Sequence, residues 1–311
     1  MQTGRFDGGH AGPGSTAQMT WIPGGEFQMG SDEFYPEELP LRRADVQGFW
    51  IDTHPVTVEE FRRLVDSTGY LTLAERPPDP QDYPEADPSE LVPGSALFRQ
   101  TEGPVALDSL VWWEYVPGAC WHTPQGLGRD RLAQDDHPVT HVAYEDAEAY
   151  ARWVGKALPT EAEWERAARG GLEAAPFAWG EEETPGGRWM ANTWQGRFPW
   201  ENLALDGYSG ASPIGSFPPN GYGLYDMIGN VWEWTCEPAA TDLAYGSPSP
   251  CCTPAGEFGG DTRRIIKGGS HLCAPNYCLR YRPAARQAHP VDTSTSHLGI
   301  RCVLRETSER N

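Results

Sequence analysis

The sequence contains no apolar run approaching the roughly 18 residues of a membrane-spanning helix. Its first residues, MQTGRFDGGHAGPGSTAQM, lack the apolar stretch of a secretory signal. It has no phosphate-cradling Gly-rich loop, no His-Glu-x-x-His motif, no Gly-x-Ser-x-Gly elbow and no EF-hand loop. Its 8 histidines show no ligand spacing, and His297 reads as a packed histidine. Basic charge is scarce: 24 Lys and Arg face 44 Asp and Glu, a net charge of −20. Such a surface repels phosphates, which argues against nucleic acid, and it disfavours an anionic membrane. The expected compartment is cytoplasmic, where disulfides rarely persist. The 7 cysteines (Cys120, Cys236, Cys251, Cys252, Cys273, Cys278 and Cys302) are an odd number and cannot all pair within one chain.

What is present is glycine, proline and tryptophan: 35 Gly, 29 Pro and 13 Trp in 311 residues. Gly and Pro punctuate regular structure, and each Trp brings a large buried surface and an N–H that needs a partner. The expectation is a compact fold poor in helices and strands, with loops held down by indoles. No linker divides the chain. Residues 1–18 read as a disordered tail, 19–306 as one domain, and 307–311 as a C-terminal tail.

Local patterns place some elements. MTWIPGGEFQMGS alternates around a Gly-Gly pair and reads as a hairpin. Thr57 with Glu60, and Thr160 with Glu163, have the spacing of capping boxes. Phe61, Leu64 and Val65 mark one helical stripe; Ala147, Tyr150, Ala151 and Val154 mark another. The tetrapeptide HPVT occurs twice, at 54–57 and 137–140. Residues 76–110 are rich in Pro, Asp and Glu and read as a long excursion. After residue 172 the chain reads as mostly loop.

The candidate chemistry lies in KGGSHLCAPNYCLRYRPAARQ. Cys273 and Cys278 are five residues apart, too few ligands for structural zinc, which takes four. Two thiolates suit Cu(I), a redox disulfide or a structural bridge, and spacing alone leaves these open. Lys267, Arg280, Arg282 and Arg286 are cations able to lower a neighbouring thiol pKa. Gly268 and Gly269 permit close backbone approach. Elsewhere, Asn192 with Asp206, and Asp226 with Glu233 flanking Gly229, offer oxygens of the kind calcium takes, although turn formation also explains them.

Together, IPGGEFQMGS, LPTEAEWERAARGG, ANTWQGRFP, NGYGLYDMIGNVWEWT, KGGSHLCAPNYCLRYRPAAR and HLGIRCV resemble the formylglycine-generating enzymes, or sulfatase-modifying factors, of bacterial type. The resemblance runs over about residues 21–303 in the family's order. It implies a single loop-rich α+β domain related to the C-type lectin fold. It implies a copper- and O2-dependent oxidase that converts the cysteine of a Cys-x-Pro-x-Arg segment in a sulfatase to Cα-formylglycine. The partner would be an unfolded sulfatase polypeptide, and the protein a monomer. By the same resemblance Cys273 and Cys278 hold Cu(I), Ser270 lies in the active site, and Tyr277 and Trp234 are aromatics beside it. One structural Ca2+ falls to Asn192, Asp206 and the carbonyls of Thr193 and Tyr208. A second falls to Asp226, Glu233 and the carbonyls of Gly229 and Val231. His297 stands where the family commonly has Asn. Cys302 lacks the disulfide partner of secreted members, and Cys251 and Cys252 have no assigned role. A non-catalytic binding module on the same fold is the alternative. An iron-dependent sulfoxide synthase is disfavoured, because no His-rich iron domain is present.

Overall fold

The computed structural model describes residues 14–81, 84, 87, 89, 91–128, 132–239 and 262–306. Cys251 and Cys252, part of the acid-rich excursion at 76–110, and the outer parts of both tails lie outside these residues. Residues 14–18, assigned to the tail, bond to the folded region: Gly14 N donates to Val154 O at 2.8 Å, and Thr53 N to Gln18 O at 3.0 Å.

Among the described residues, eleven short strands and three α-helices are joined by long loops, a mixed α+β fold. Strands β1 (Met19–Ile22), β2 (Gly25–Met29), β3 (Arg42–Val46) and β4 (Phe49–Asp52) open the chain. The hairpin expected within 19–29 is not formed. β1 pairs antiparallel with β4, and β2 with β3, in separate sheets. The two arms are therefore 19–29 and 42–52, bent together at their glycines. A Cβ on Gly24 would lie 2.7 Å from Gly48 N, so the crossing needs glycine there.

Helix α1 (Val58–Thr68) begins at the Thr57–Glu60 capping box and ends at left-handed Gly69. The two HPVT segments pair with each other: Val58 N donates to His137 O at 2.9 Å and Val139 N to Val56 O at 2.9 Å. The excursion at 76–110 contains β5 (Gly94–Phe98), which pairs with β6 (Trp113–Pro117). The Pro- and acid-rich composition around β5 hid a strand whose partner lies beyond the segment.

Helix α2 (Tyr144–Trp153) buries the stripe Ala147, Tyr150 and Ala151. Helix α3 (Glu161–Ala168) starts at the Thr160–Glu163 capping box. The chain then runs as loop to β7 (Trp232–Pro238), β8 (Arg263–Lys267) and β9 (Arg286–Pro290). The short β10 (Leu298–Gly299) adds in parallel to β7, giving a sheet ordered β10-β7-β8-β9. β11 (Val303–Arg305) joins β1 and β4.

The main core carries Phe61, Trp164, Trp232, Trp234, Cys273 and Cys278. A second cluster of Trp112, Trp194, Phe198, Leu272 and Ala274 packs under the loop after β8, and Tyr277 touches both. Trp112 and Trp194 are buried on loops, whereas the buried Trp164, Trp232 and Trp234 belong to α3 and β7. Among the described residues no helix is long and apolar enough to cross a membrane.

Candidate functional site

β8 delivers Lys267 and then Gly268 and Gly269, both with positive φ. A Cβ on Gly268 would lie 3.0 Å from Met227 O; one on Gly269 would lie 2.8 Å from Arg280 O. The chain thus folds back on itself at once. Two tight turns follow: Cys273 N donates to Ser270 O at 2.9 Å, and Cys278 N to Ala274 O at 2.7 Å. They convert the five-residue spacing into a pair of facing sulfurs. Cys273 Sγ and Cys278 Sγ lie 3.4 Å apart, beyond the ~2.05 Å of a disulfide. Both residues are buried.

Ser270 closes the loop from below. Its N–H points to Cys273 Sγ at 3.4 Å, and its Oγ accepts from Leu272 N at 3.2 Å. Tyr277 stacks on Phe198 with ring centroids 4.4 Å apart and meets Trp112 edge-on at 5.6 Å. Trp234 sits in β7, where its indole donates to Val142 O at 3.2 Å between Tyr144 and His289. The loop therefore gathers Ser270, Cys273, Tyr277 and Cys278, while the contacts of Trp234 are with Val142, Tyr144 and His289 in the core.

Of the four cations expected near the thiols, one reaches them. Arg280 Nη1 lies 3.7 Å from Cys278 Sγ. It is held from behind by Glu37 and stacked on the Tyr35 ring, 3.8 Å from its centroid. Tyr35 Oη accepts from Leu279 N at 3.0 Å. Burial, followed by the Cys278 charge, pushes the Tyr35 phenol up. The other three cations have carboxylate partners instead. Lys267 Nζ bonds Glu165 at 3.0 Å, Arg282 Nη1 bonds Glu38 at 2.8 Å, and Arg286 Nε pairs with Glu161 at 2.8 Å. A buried cation is costly unless paired, and these acids pair them. Tyr35, Glu37 and Glu38 had no signal in the sequence reading; the Arg280–Glu37 pair is separated by 243 residues.

The residues of the two oxygen sets lie in the loop before β7, except Glu233, which is in β7. Asp206 Oδ2 accepts from Thr193 N at 3.1 Å, and its Oδ1 from Tyr208 N at 2.9 Å. Asn192 Nδ2 donates to Gly210 O at 2.9 Å, yet the buried Asn192 Oδ1 has no hydrogen-bond partner. The orphaned buried oxygen offers one ligand for a hard cation, while Asp206 Oδ2 and the Thr193 carbonyl also accept from Gln195 Nε2. In the second set, Gly229 is left-handed and close to Asn192 O. Asp226 Oδ2 accepts from Gly215 N at 2.8 Å, while Glu233 takes Arg301 Nε at 2.9 Å and Trp164 Nε1 at 2.6 Å. Asp226 is pushed up to about 6, first by burial, with Arg301 lowering it and Glu233 raising it. Glu233 engages both of its oxygens with Arg301, so Asp226 is the carboxylate of this set left to meet a cation.

His297 is buried, its Nδ1 2.8 Å from Thr295 Oγ1 and its ring 5.0 Å from that of Trp113. Cys302 is a buried free thiol pushed well up by burial, with Asp52 adding to the shift.

Residues 9–306 match the family described as "Sulfatase-modifying factor enzyme 1-like domain". The formylglycine-generating enzyme of Mycobacterium tuberculosis is 53% identical over 291 residues, covering 92% of this chain and 97% of that protein. The inactive C-alpha-formylglycine-generating enzyme 2 of Bos taurus is 36% identical, covering 94% of this chain and 89% of that protein. Among solved structures, PvdO from Pseudomonas aeruginosa superposes with a TM-score of 0.60 at 26% identity, covering 92% of this chain and 93% of that one.

Proposed function

Because the chain belongs to the sulfatase-modifying factor family, we propose that it activates sulfatases by oxidising one of their cysteines to Cα-formylglycine. The observation that carries this reading is the pair of buried sulfurs 3.4 Å apart, in a chain 53% identical to a formylglycine-generating enzyme over most of both lengths. The substrate is an extended Cys-x-Pro-x-Arg segment of an unfolded sulfatase, since folding would bury the cysteine. The protein acts as a cytoplasmic monomer.

Soft sulfur donors facing one point fit Cu(I), which would be held by Cys273 and Cys278. Bound there, it would supply the O2-dependent redox chemistry that takes hydrogen from the substrate Cβ and allows hydrolysis to the aldehyde. The protein's own groups set the conditions. Arg280 offsets the negative charge of the Cys278 thiolate, and Glu37 and Tyr35 fix its guanidinium. Ser270 N–H fixes the Cys273 sulfur. The Tyr277, Phe198 and Trp112 rings keep water from one side of the loop. Structural Ca2+ would occupy the Asn192, Thr193, Asp206 and Tyr208 set, satisfying Asn192 Oδ1, and the Asp226, Gly229, Val231 and Glu233 set.

Cys273→Ala and Cys278→Ala, assayed with Cu(I) and air on a Cys-x-Pro-x-Arg peptide, should each lose aldehyde formation while keeping wild-type circular dichroism. Full activity in either variant overturns the reading. The 36% identity to an inactive relative keeps a non-catalytic module as the second reading. A wild-type chain that neither binds Cu(I) stoichiometrically nor yields aldehyde would favour it.

A further inference from the structure

A second cluster of metal-ligating side chains lies outside this site. Glu75, Cys120 and His122 present a carboxylate oxygen, a thiol sulfur and a ring nitrogen, all within 4.8 Å of one another. Glu75 ends the single 3-10 turn Leu73–Glu75 after α1, and Cys120 and His122 lie in the loop after β6.

Both segments are built to hold these atoms. Glu75 Oε2 accepts from Thr72 N at 2.9 Å and Thr72 Oγ1 at 2.7 Å, and Thr72 is fully buried. That fixes the carboxylate and leaves Oε1 toward His122 Nε2, 3.3 Å away. On the other side, Thr123 Oγ1 donates to Gly118 O at 2.8 Å, and Cys120 N donates to Thr123 O at 3.3 Å. The buried Trp121 between the two ligands packs on Phe61, ring centroids 5.5 Å apart. This anchors the loop to α1.

An ion pair would explain Glu75 and His122 alone. It leaves out the buried Cys120, whose Sγ lies 3.1 Å from Thr123 Oγ1 and within 4.8 Å of a ligand atom of both Glu75 and His122. Tetrahedral zinc has arms of about 2.0–2.3 Å, so ligand atoms stand roughly 3.3–3.7 Å apart. The Glu75–His122 edge of 3.3 Å already meets this. The edges to Cys120 Sγ are within 4.8 Å, and metal binding would draw them in. One sulfur, one nitrogen and one oxygen suit a borderline-soft ion.

We propose that Glu75, Cys120 and His122 form a zinc site, with the fourth position open to solvent beside His122. Binding replaces the Cys120 thiol proton with the metal and releases that proton. The ion clips together two segments whose ligands are 47 residues apart, and so stabilises the fold around α1.

The test is titration of the full chain with Co2+, followed by displacement with Zn2+. Wild type should give one equivalent of a thiolate-to-cobalt absorption band that Zn2+ bleaches, and Zn2+ should raise the melting temperature. His122→Gln, an exposed change that leaves the fold intact, should weaken Co2+ binding more than about 10-fold. Cys120→Ser should remove the band, and Cys273→Ser should leave it. The proposal is overturned if wild type shows no band or if His122→Gln binds as wild type does. It is equally overturned if the band survives Cys120→Ser or disappears in the Cys251→Ser, Cys252→Ser double variant.

Discussion

Gly269 has φ 70°, and a Cβ there would meet Arg280 O and Tyr281 N at 2.8 Å. Gly269→Ala should cost about 1–3 kcal/mol from the left-handed backbone alone, and more from the clash. Because the clash pushes on Arg280 and Tyr281, two and three residues from Cys278, aldehyde formation should fall with stability. Urea denaturation and the peptide assay together check this; a variant with wild-type stability would show that the loop yields freely. The glycines and the cysteine pair were legible because they lie in one contiguous stretch of chain. The partners of Arg280 and Arg282 were not. Tyr35, Glu37 and Glu38 precede them by more than 240 residues, with no periodicity to mark them. The same distance effect misdirected the reading of Lys267, Arg282 and Arg286. As isolated cations they suit a thiolate, but in the fold each has a buried carboxylate to neutralise.

Helix α3 connects the sequence's clearest local signal to the site. Thr160 Oγ1 accepts from Glu163 N at 3.2 Å, and Glu163 Oε2 accepts from Thr160 N at 2.7 Å. The helix so started carries Trp164, whose ring lies 3.1 Å from a Cβ built on Gly268, and Glu165, which holds Lys267. Thr160→Ala should cost about 1 kcal/mol, read as a lower urea midpoint at unchanged slope. No change in the midpoint would mean that Arg305, which also bonds Glu163, carries the helix start. Both capping boxes were readable because they close within four residues. The expected hairpin at 19–29 failed for the opposite reason. Alternation and Gly-Gly give strands and a bend, but the pairing partner is decided by β3 and β4, some twenty residues on. β5 was missed likewise, since its partner β6 lies beyond the Pro- and acid-rich segment that contains it.

Across the whole molecule, buried polar groups do much of the joining that regular elements do elsewhere, and they make stability a function of pH. Two of them lie outside the thiol loop and act with opposite sign. His141 is fully buried with Nδ1 2.8 Å from Ser95 Oγ. Burial pushes it down to about 4, against a smaller opposing effect of the Pro124 backbone. The unfolded chain binds that proton below about 6.5, so the stability it confers is present above 6.5 and lost as pH falls toward 4. Asp146 is buried in α2 and pushed up to about 6, burial outweighing the hydrogen bonds from Ala143, Tyr70 and Leu73. The folded state holds its proton where the unfolded carboxylate has lost it. Its contribution therefore grows as pH falls from 6 toward 3.8 and is absent above 6. Relative to wild type, His141→Asn should gain on acidification and Asp146→Asn should lose, each by on the order of 1.4 kcal/mol per pH unit between the two pKa values. Asn suits both positions: it tolerates the left-handed φ of 59° at residue 141 and keeps an oxygen for the α2 cap at 146. Urea midpoints of the three proteins between pH 4 and 6 measure the two slopes. Slopes of the same sign would show that burial at one of these positions does not set its charge.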